Sequence, residues 1–379
     1  MPERSATVCA GVVVMGERRI CLAGADSLRM LRLARRSGEL ALVSADGRAL
    51  RGADGSIEPA ELLAALPGDV FCPERCPVHL RFDDAPARSR CSLVRAHSGL
   101  SALPDEAYLE VVTFSGDPLA TGPGQVTRVF VEAPGLALAS AATGLSGAVA
   151  QGRLSGDAAL IRLVGLAMEL CGIYARDPIE PLSGPVAHDL DPIGSVAGAL
   201  GLVGELGGRR GVALARRALA LANDGSGSVM ETFWYGVFCL PPRLGGAHLL
   251  RPLQNVRLEW PEGLVGVVSH ERMRPDFYWP EYVTACEHQG GDHADEAALA
   301  EDSRRARDYE LCHIHYLPLT KQDARTEGAV RALLAQLFQV IAPHVDSGFS
   351  RKASRVLGDS TAGARRVLLG QLLPPVGMR

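Results

Sequence analysis

Three acidic side chains in the last third of the chain have the type and spacing that divalent-metal chemistry on a phosphodiester bond requires. Asp276 opens a short apolar segment, Glu287 follows on what reads as the return strand of a hairpin, and Glu231 lies on a helix before both. A hard cation such as Mg²⁺ takes oxygen ligands in near-octahedral array and keeps several waters, so two carboxylates and a backbone carbonyl suffice to hold it. Gln289 and His293 come just after Glu287. An amide can orient a water, and an imidazole can take its proton near neutral pH.

Each of these residues also has a plainer reading. Glu231 is the last residue of Ser228-Val229-Met230-Glu231, an S-x-x-E capping box, and can simply satisfy a backbone amide. Asp276 follows Pro275 and can close a turn, and Glu287, between Cys286 and His288, can be one half of an ion pair. Asp292 and His293 can be loop residues. His313 and His315 share a strand face without a third ligand, and Cys72, Cys76, His79 and Cys91 lack the second close pair of a zinc site.

The elements that must position the acidic residues are legible. Asp224-Gly225-Ser226-Gly227 is a turn, and a helix runs from the capping box to Leu240, where Pro241-Pro242 stops it. Val256–Trp260 and Leu264–Ser269 read as strands. Pro280-Glu281 turns a hairpin whose arms carry Asp276 and Glu287. A charged helix over 294–310, a strand over 312–319 and a helix over 328–342 follow. Arg305 lies on the charged helix beside Asp302, where it can join a salt-bridged face or touch a phosphate.

The rest of the chain divides into three. Residues 1–135 alternate short β-like runs, at 11–15, 40–43, 78–82, 109–114 and 127–131, with a helix over 26–36, an α+β pattern. Residues 136–223 read as a helical connecting region, interrupted by a linker over 177–192. Its arginine pairs Arg209, Arg210 and Arg216, Arg217 form either a phosphate-facing patch or a solvated helix face. After the acidic region, 224–345, residues 346–379 read as an irregular basic tail able to lie along a nucleic-acid backbone.

Composition bounds the class. With 379 residues, 47% of them hydrophobic, the chain can bury one large core or two ordinary ones. No apolar run is long enough for a membrane helix, and Val8–Met15 ends in Glu17, Arg18 and Arg19 without a small-residue cleavage site, so a cytoplasmic protein is expected. The nine widely spaced cysteines read as reduced thiols. A net charge of -4 excludes a chain that coats nucleic acid through bulk charge, so any DNA contact must be a local patch.

Pro275-Asp276, Glu287-His288-Gln289-Gly290-Gly291-Asp292-His293, Asp302, Arg305 and the apolar segment from Ile314 to Thr320 together resemble the PD-(D/E)XK restriction-endonuclease-like family. The likeness is greatest to its bacterial branch with an E-x-D-G-x-x-H motif, related to very-short-patch repair endonucleases. Ser228-Val229-Met230-Glu231-Thr232 is similar to that branch's S-P-M-E-T element, and Glu169-Leu170-Cys171-Gly172-Ile173-Tyr174 to an E-L-C-G-x-Y element of its long members. The resemblance covers about residues 160–345. Nearer the N-terminus, Pro77-Val78-His79 and the segment around His97 are similar to the sensor half of type IV abortive-infection antitoxins.

The resemblance implies an α/β domain with a mixed central sheet flanked by helices. It implies that Asp276 and Glu287 are Mg²⁺ ligands, that Glu231 is a ligand or supporting carboxylate, and that His293 holds or deprotonates a metal-bound water. Gln289 departs from the pattern, standing where the branch has Asp and the wider family Lys. The expectation is therefore a DNA-directed protein that is either a Mg²⁺-dependent endonuclease or a catalytically silent DNA-binding regulator of antitoxin type.

Overall fold

The computed structural model describes residues 16–50, 66–72, 75–83, 92–122, 125–289 and 296–373. The chain is mixed α/β and divides into two units, Met1–Glu132 and Ala133–Arg379. The strand expected at 11–15 lies outside the described residues, as do Cys91 and His293. Among the described residues no helix is long and apolar enough to cross a membrane.

Among the described residues of the first unit the strands are β1 (Gly16–Cys21), β2 (Leu40–Ser44), β3 (Val78–Arg81), β4 (Val94–His97), β5 (Tyr108–Thr113), β6 (Ala120–Gly122) and β7 (Gln125–Glu132), and the helices are α1 (Gly24–Arg36) and α2 (Gly47–Leu50). The main sheet has the order β1-β7-β5-β2, parallel between β1 and β7 and antiparallel in the other two pairs. Ser27, Met30, Leu31 and Ala34 recur at helical spacing and are the buried stripe of α1. Glu132 is buried at the end of β7, where it accepts the Gly24 N–H at 3.0 Å and pairs with Arg81 at 2.5 Å. A buried charge needs such partners.

The second unit begins with α3 (Pro134–Ala150) and α4 (Gly156–Leu170), then α5 (Val196–Glu205) and α6 (Val212–Leu219). The helix expected across 193–223 is broken in two. Gly207 and Gly211 take positive φ, and a Cβ on Gly211 would stand 2.1 Å from the Ala139 carbonyl of α3, so only glycine permits that approach. Next come α7 (Val229–Cys239), β8 (Phe277–Trp279), β9 (Thr284–Gln289), α8 (Glu296–Leu311), β10 (His315–Thr320), α9 (Glu327–Ile341), α10 (Phe349–Leu357) and α11 (Asp359–Leu372). The sheet runs β10-β9-β8, with β10 parallel and β8 antiparallel to β9.

Every residue of α7 is buried. Its Phe238 meets Phe277 and Trp279 of β8 edge-on, with ring centroids 5.5 Å apart in both pairs. That seats α7 against one face of the sheet. On the other face Tyr309 of α8 stacks on Tyr316 of β10, 4.8 Å between centroids, over a small cluster with Met273 and Ala285.

Two regions depart from the pattern their sequence predicts. Segments 256–260 and 264–269 are not strands: only Leu258 bridges Met273, while Val256, Val265 and Val267 are exposed, so no partner strand draws them into a ladder. Residues 346–373 are not an irregular tail but the helices α10 and α11. Arg365, within this basic stretch, is fully buried, with its guanidinium bonded to Glu327, Gly245 O and Val356 O. Leu372 wedges against α4 and α7, where a Cβ on Gly165 or Gly236 would meet it at 2.9 or 2.6 Å. Apolar contact with earlier helices is what orders this basic stretch, and charge counting along the sequence does not register it.

Candidate acidic site

Asp276 is the residue just before β8. The β8/β9 register pairs Phe277 with Cys286, and carrying it one residue further sets Asp276 opposite Glu287. Directly opposed residues of an antiparallel pair share a face, and this pair points to the side covered by α8. Asp276 Oδ2 accepts the His288 N–H at 2.7 Å. Glu287, 8% exposed, accepts from Arg305 at 2.9 Å and from the Tyr309 hydroxyl at 2.5 Å, both at Oε1. Arg305 and Tyr309 are four residues apart on α8, one helical turn, and so reach the same carboxylate.

Glu231 comes from the other side of the sheet. The capping box forms, Ser228 Oγ accepting the Glu231 N–H at 3.0 Å, but its return bond is shifted by one residue: Glu231 Oε2 accepts from Gly227 N at 2.6 Å and from Asn255 Nδ2 at 2.5 Å. One turn along α7, Trp234 Nε1 donates to His288 Nδ1 at 3.3 Å, on the β9 face away from Glu287. Asn255 links the two sides, since its N–H donates to Pro275 O at 3.2 Å. The three carboxylates therefore do not share one face. Asp276 stands between the other two, and among the described residues no three acidic, histidine or cysteine side chains are close enough to hold one ion together.

The electrostatics centre on Asp276. Burial raises its pKa well above the ordinary aspartate value, the nearby Glu231 carboxylate raises it further, and Glu287 adds to both; the His288 N–H and Arg305 oppose them. Burial likewise raises Glu231 against the hydrogen bonds from Gly227, Asn255 and Ser228. Asp276 Oδ1 and Glu287 Oε2 accept no hydrogen bond from the described residues. Such an arrangement takes up a proton or a hard cation.

Comparison of the chain with family models, curated proteins and solved structures finds no match.

Of the other expected site residues, Gln289 ends β9 opposite Thr320, half-buried, with its amide in hydrogen-bonding reach of the Tyr316 hydroxyl. Arg305 faces the site as Glu287's ion-pair partner. Arg209 and Arg210, before α6, and Arg216 and Arg217, in its last turn, are exposed and make no bond to the three carboxylates. Cys72 and Cys76 are exposed thiols, and His313 and His315 stay on the surface, His315 meeting His344 edge-on.

Sequence reasoning missed Tyr309, Asn255 and a latch over the α8 face. In that latch His270 bonds Asp308 through Nδ1 at 2.6 Å and Glu301 through Nε2 at 2.5 Å. Asp308, 1% exposed, also accepts the Ser269 and His270 N–H groups at 2.8 and 3.0 Å. Tyr309 had a signal in its spacing from Arg305. Asn255 had none in sequence, because its role depends on a positive φ and on contacts across the chain.

Proposed function

We propose that the second unit is a DNA-directed domain of PD-(D/E)XK type whose acidic residues hold Mg²⁺ for phosphodiester cleavage. The observation that supports this reading is the pairing of Asp276 with Glu287 across β8 and β9, with Glu231 brought to Asp276 by the preceding helix. Asp276 Oδ1 and Glu287 Oε2 are the oxygens open to the ion, and Glu231 adds negative charge behind Asp276. A hard cation fits the donor set: all are carboxylate oxygens, and Mg²⁺ needs only one or two of them. Bound there, Mg²⁺ would polarise a phosphoryl oxygen and acidify a water.

The chain's own groups take the remaining roles. Tyr309 and Arg305 fix the Glu287 carboxylate so that only Oε2 is presented. Gln289 can orient a water through its amide but cannot take a proton from it. The raised pKa of Asp276 brings one carboxylate nearer the range in which it exchanges protons.

A second reading, a catalytically silent DNA-binding regulator, is favoured by Gln289 and by the Arg305 guanidinium, which already neutralises Glu287. Plasmid nicking with Mg²⁺ or Mn²⁺ separates the two. The endonuclease reading expects nicking by the wild type that Asp276→Ala abolishes. Nicking absent, or unchanged in Asp276→Ala, with metal-independent DNA binding retained, would leave the regulator.

A further inference from the structure

A second concave surface lies at the far end of α7 from Glu231. The His248 N–H donates to Leu240 O at 3.0 Å, fixing His248 beside the helix C-terminus, and Pro242 lies next to it. Together with Gly348, Arg351, Lys352 and Arg355 of the α10 segment they line a cavity of about 430 Å³. Glu231 and Leu240 are nine residues apart, so this cavity stands on the order of 14 Å along the helix axis from the acidic site.

The charges here are of one sign. Arg351 and Arg355, at i and i+4, share one face of α10 with Lys352 beside them, and among the described residues no acidic one lines the cavity. Neither guanidinium has a hydrogen-bond or ion-pair partner among the described residues. Lys352 Nζ donates to His248 O at 2.5 Å, which fixes the ammonium at the wall with two protons still to donate. The acidic group that bears on Lys352 is Asp346, whose carboxylate is engaged by the Gly348 N–H at 2.7 Å. Like charges at i and i+4 destabilise a helix, so the unmatched arginines are a local cost that a bound anion would offset.

We propose that this cavity is a binding site for a phosphate group, held by the Arg351 and Arg355 guanidiniums and the Lys352 ammonium. Guanidinium forks suit phosphate oxygens, and a phosphate offers more acceptor oxygens to three cationic donors than a lone carboxylate does. Among the described residues the lining has no aromatic ring besides that of His248. The phosphate can belong to a nucleic-acid backbone or to a free phosphorylated compound. The site does not depend on the reading of the acidic cluster.

Equilibrium dialysis of the full chain against radiolabelled inorganic phosphate, at ionic strength held constant with chloride, tests this. Saturable binding of one phosphate is expected, weakened at least tenfold in Arg351→Gln/Arg355→Gln and unchanged in Asp276→Asn. Both arginines are exposed, and the double variant's melting temperature in chloride alone checks that it folds. Binding that does not saturate, or that the double variant retains, overturns the proposal. Duplex DNA binding followed against salt identifies the source. A backbone phosphate predicts that the log–log salt slope falls by about 1.8 when two contacts are removed. An unchanged slope with phosphate binding lost assigns the site to a free phosphorylated compound.

Discussion

Asp276 and Glu287 oppose each other across β8 and β9, yet only Glu287 has a cation at hydrogen-bonding distance, Arg305 at 2.9 Å. Asp276 has a single backbone N–H and two carboxylate neighbours. The pair is therefore electrically asymmetric, and the unmet charge is at Asp276, the one near Glu231 of α7.

Asp276→Asn should stabilise the metal-free protein at high pH. Its raised pKa means that the folded state holds the proton more tightly than the unfolded chain. That contribution is fully present below the ordinary aspartate pKa and is lost as pH rises through the folded value. Asparagine can still accept the His288 N–H while carrying no charge. Thermal melts should show a gain on the order of 1 kcal/mol at pH 8 and none near pH 3. A variant less stable than wild type at pH 8 would contradict the charge argument.

Mg²⁺ should bind the wild type in calorimetry, with affinity reduced at least about tenfold in Glu287→Gln and further in Asp276→Asn, because carboxylate charge dominates binding of a hard cation. Equal affinity in all three proteins would remove the metal from the site.

Gln289→Lys should raise plasmid nicking in Mg²⁺ at least about tenfold, since positioned proton transfer and charge at the reacting water contribute factors of that order or more. A rate equal to wild type, with Mg²⁺ affinity unchanged, would mean that Gln289 is not beside the water.

His270→Ala should destabilise the protein more at pH 5.5 than at pH 9.5. Burial lowers the His270 pKa, but the bonds to Asp308 and Glu301 outweigh it and leave the value raised. The stabilisation is therefore present below the ordinary histidine pKa and is lost as pH climbs through the raised one. Asp308 limits the acid side: burial alone would raise it, but the Ser269 and His270 donors hold it below its ordinary value, so its contribution disappears as pH falls through that lowered pKa. Paired melts of wild type and variant across pH 3–10 should trace that window.

Arg365→Met should cost about 3 kcal/mol, because the half-buried Glu327 would lose the cation that bonds it at 2.8 Å and the Gly245 and Val356 carbonyls would lose their buried donor. Arg365→Lys should recover little of this, since one ammonium cannot reach Glu327, Gly245 O and Val356 O together. A lysine variant as stable as wild type in denaturant melts would refute the three-partner account.

Local signals carried much of the architecture. The capping box placed the start of α7, Pro280 marked the turn between β8 and β9, and apolar spacing marked α1 and α9 to within a few residues. What failed depended on partners distant in sequence. Val256 and Val265 have strand-forming side chains but no neighbouring strand, and the split of α5 from α6 follows from how closely Gly211 approaches α3. In the site, the opposition of Asp276 and Glu287 was readable from hairpin arithmetic. The shifted cap of Glu231, the Asn255 link and the engagement of Glu287 by Tyr309 were not, because each is set by packing between elements.

Leu372 touches both Gly165 and Gly236, so the helix that delivers Glu231 is backed by an element made after every other described one. During synthesis α7 emerges more than a hundred residues ahead of that wedge. Until α11 docks, the helix that carries Glu231 lacks the apolar support behind Gly236.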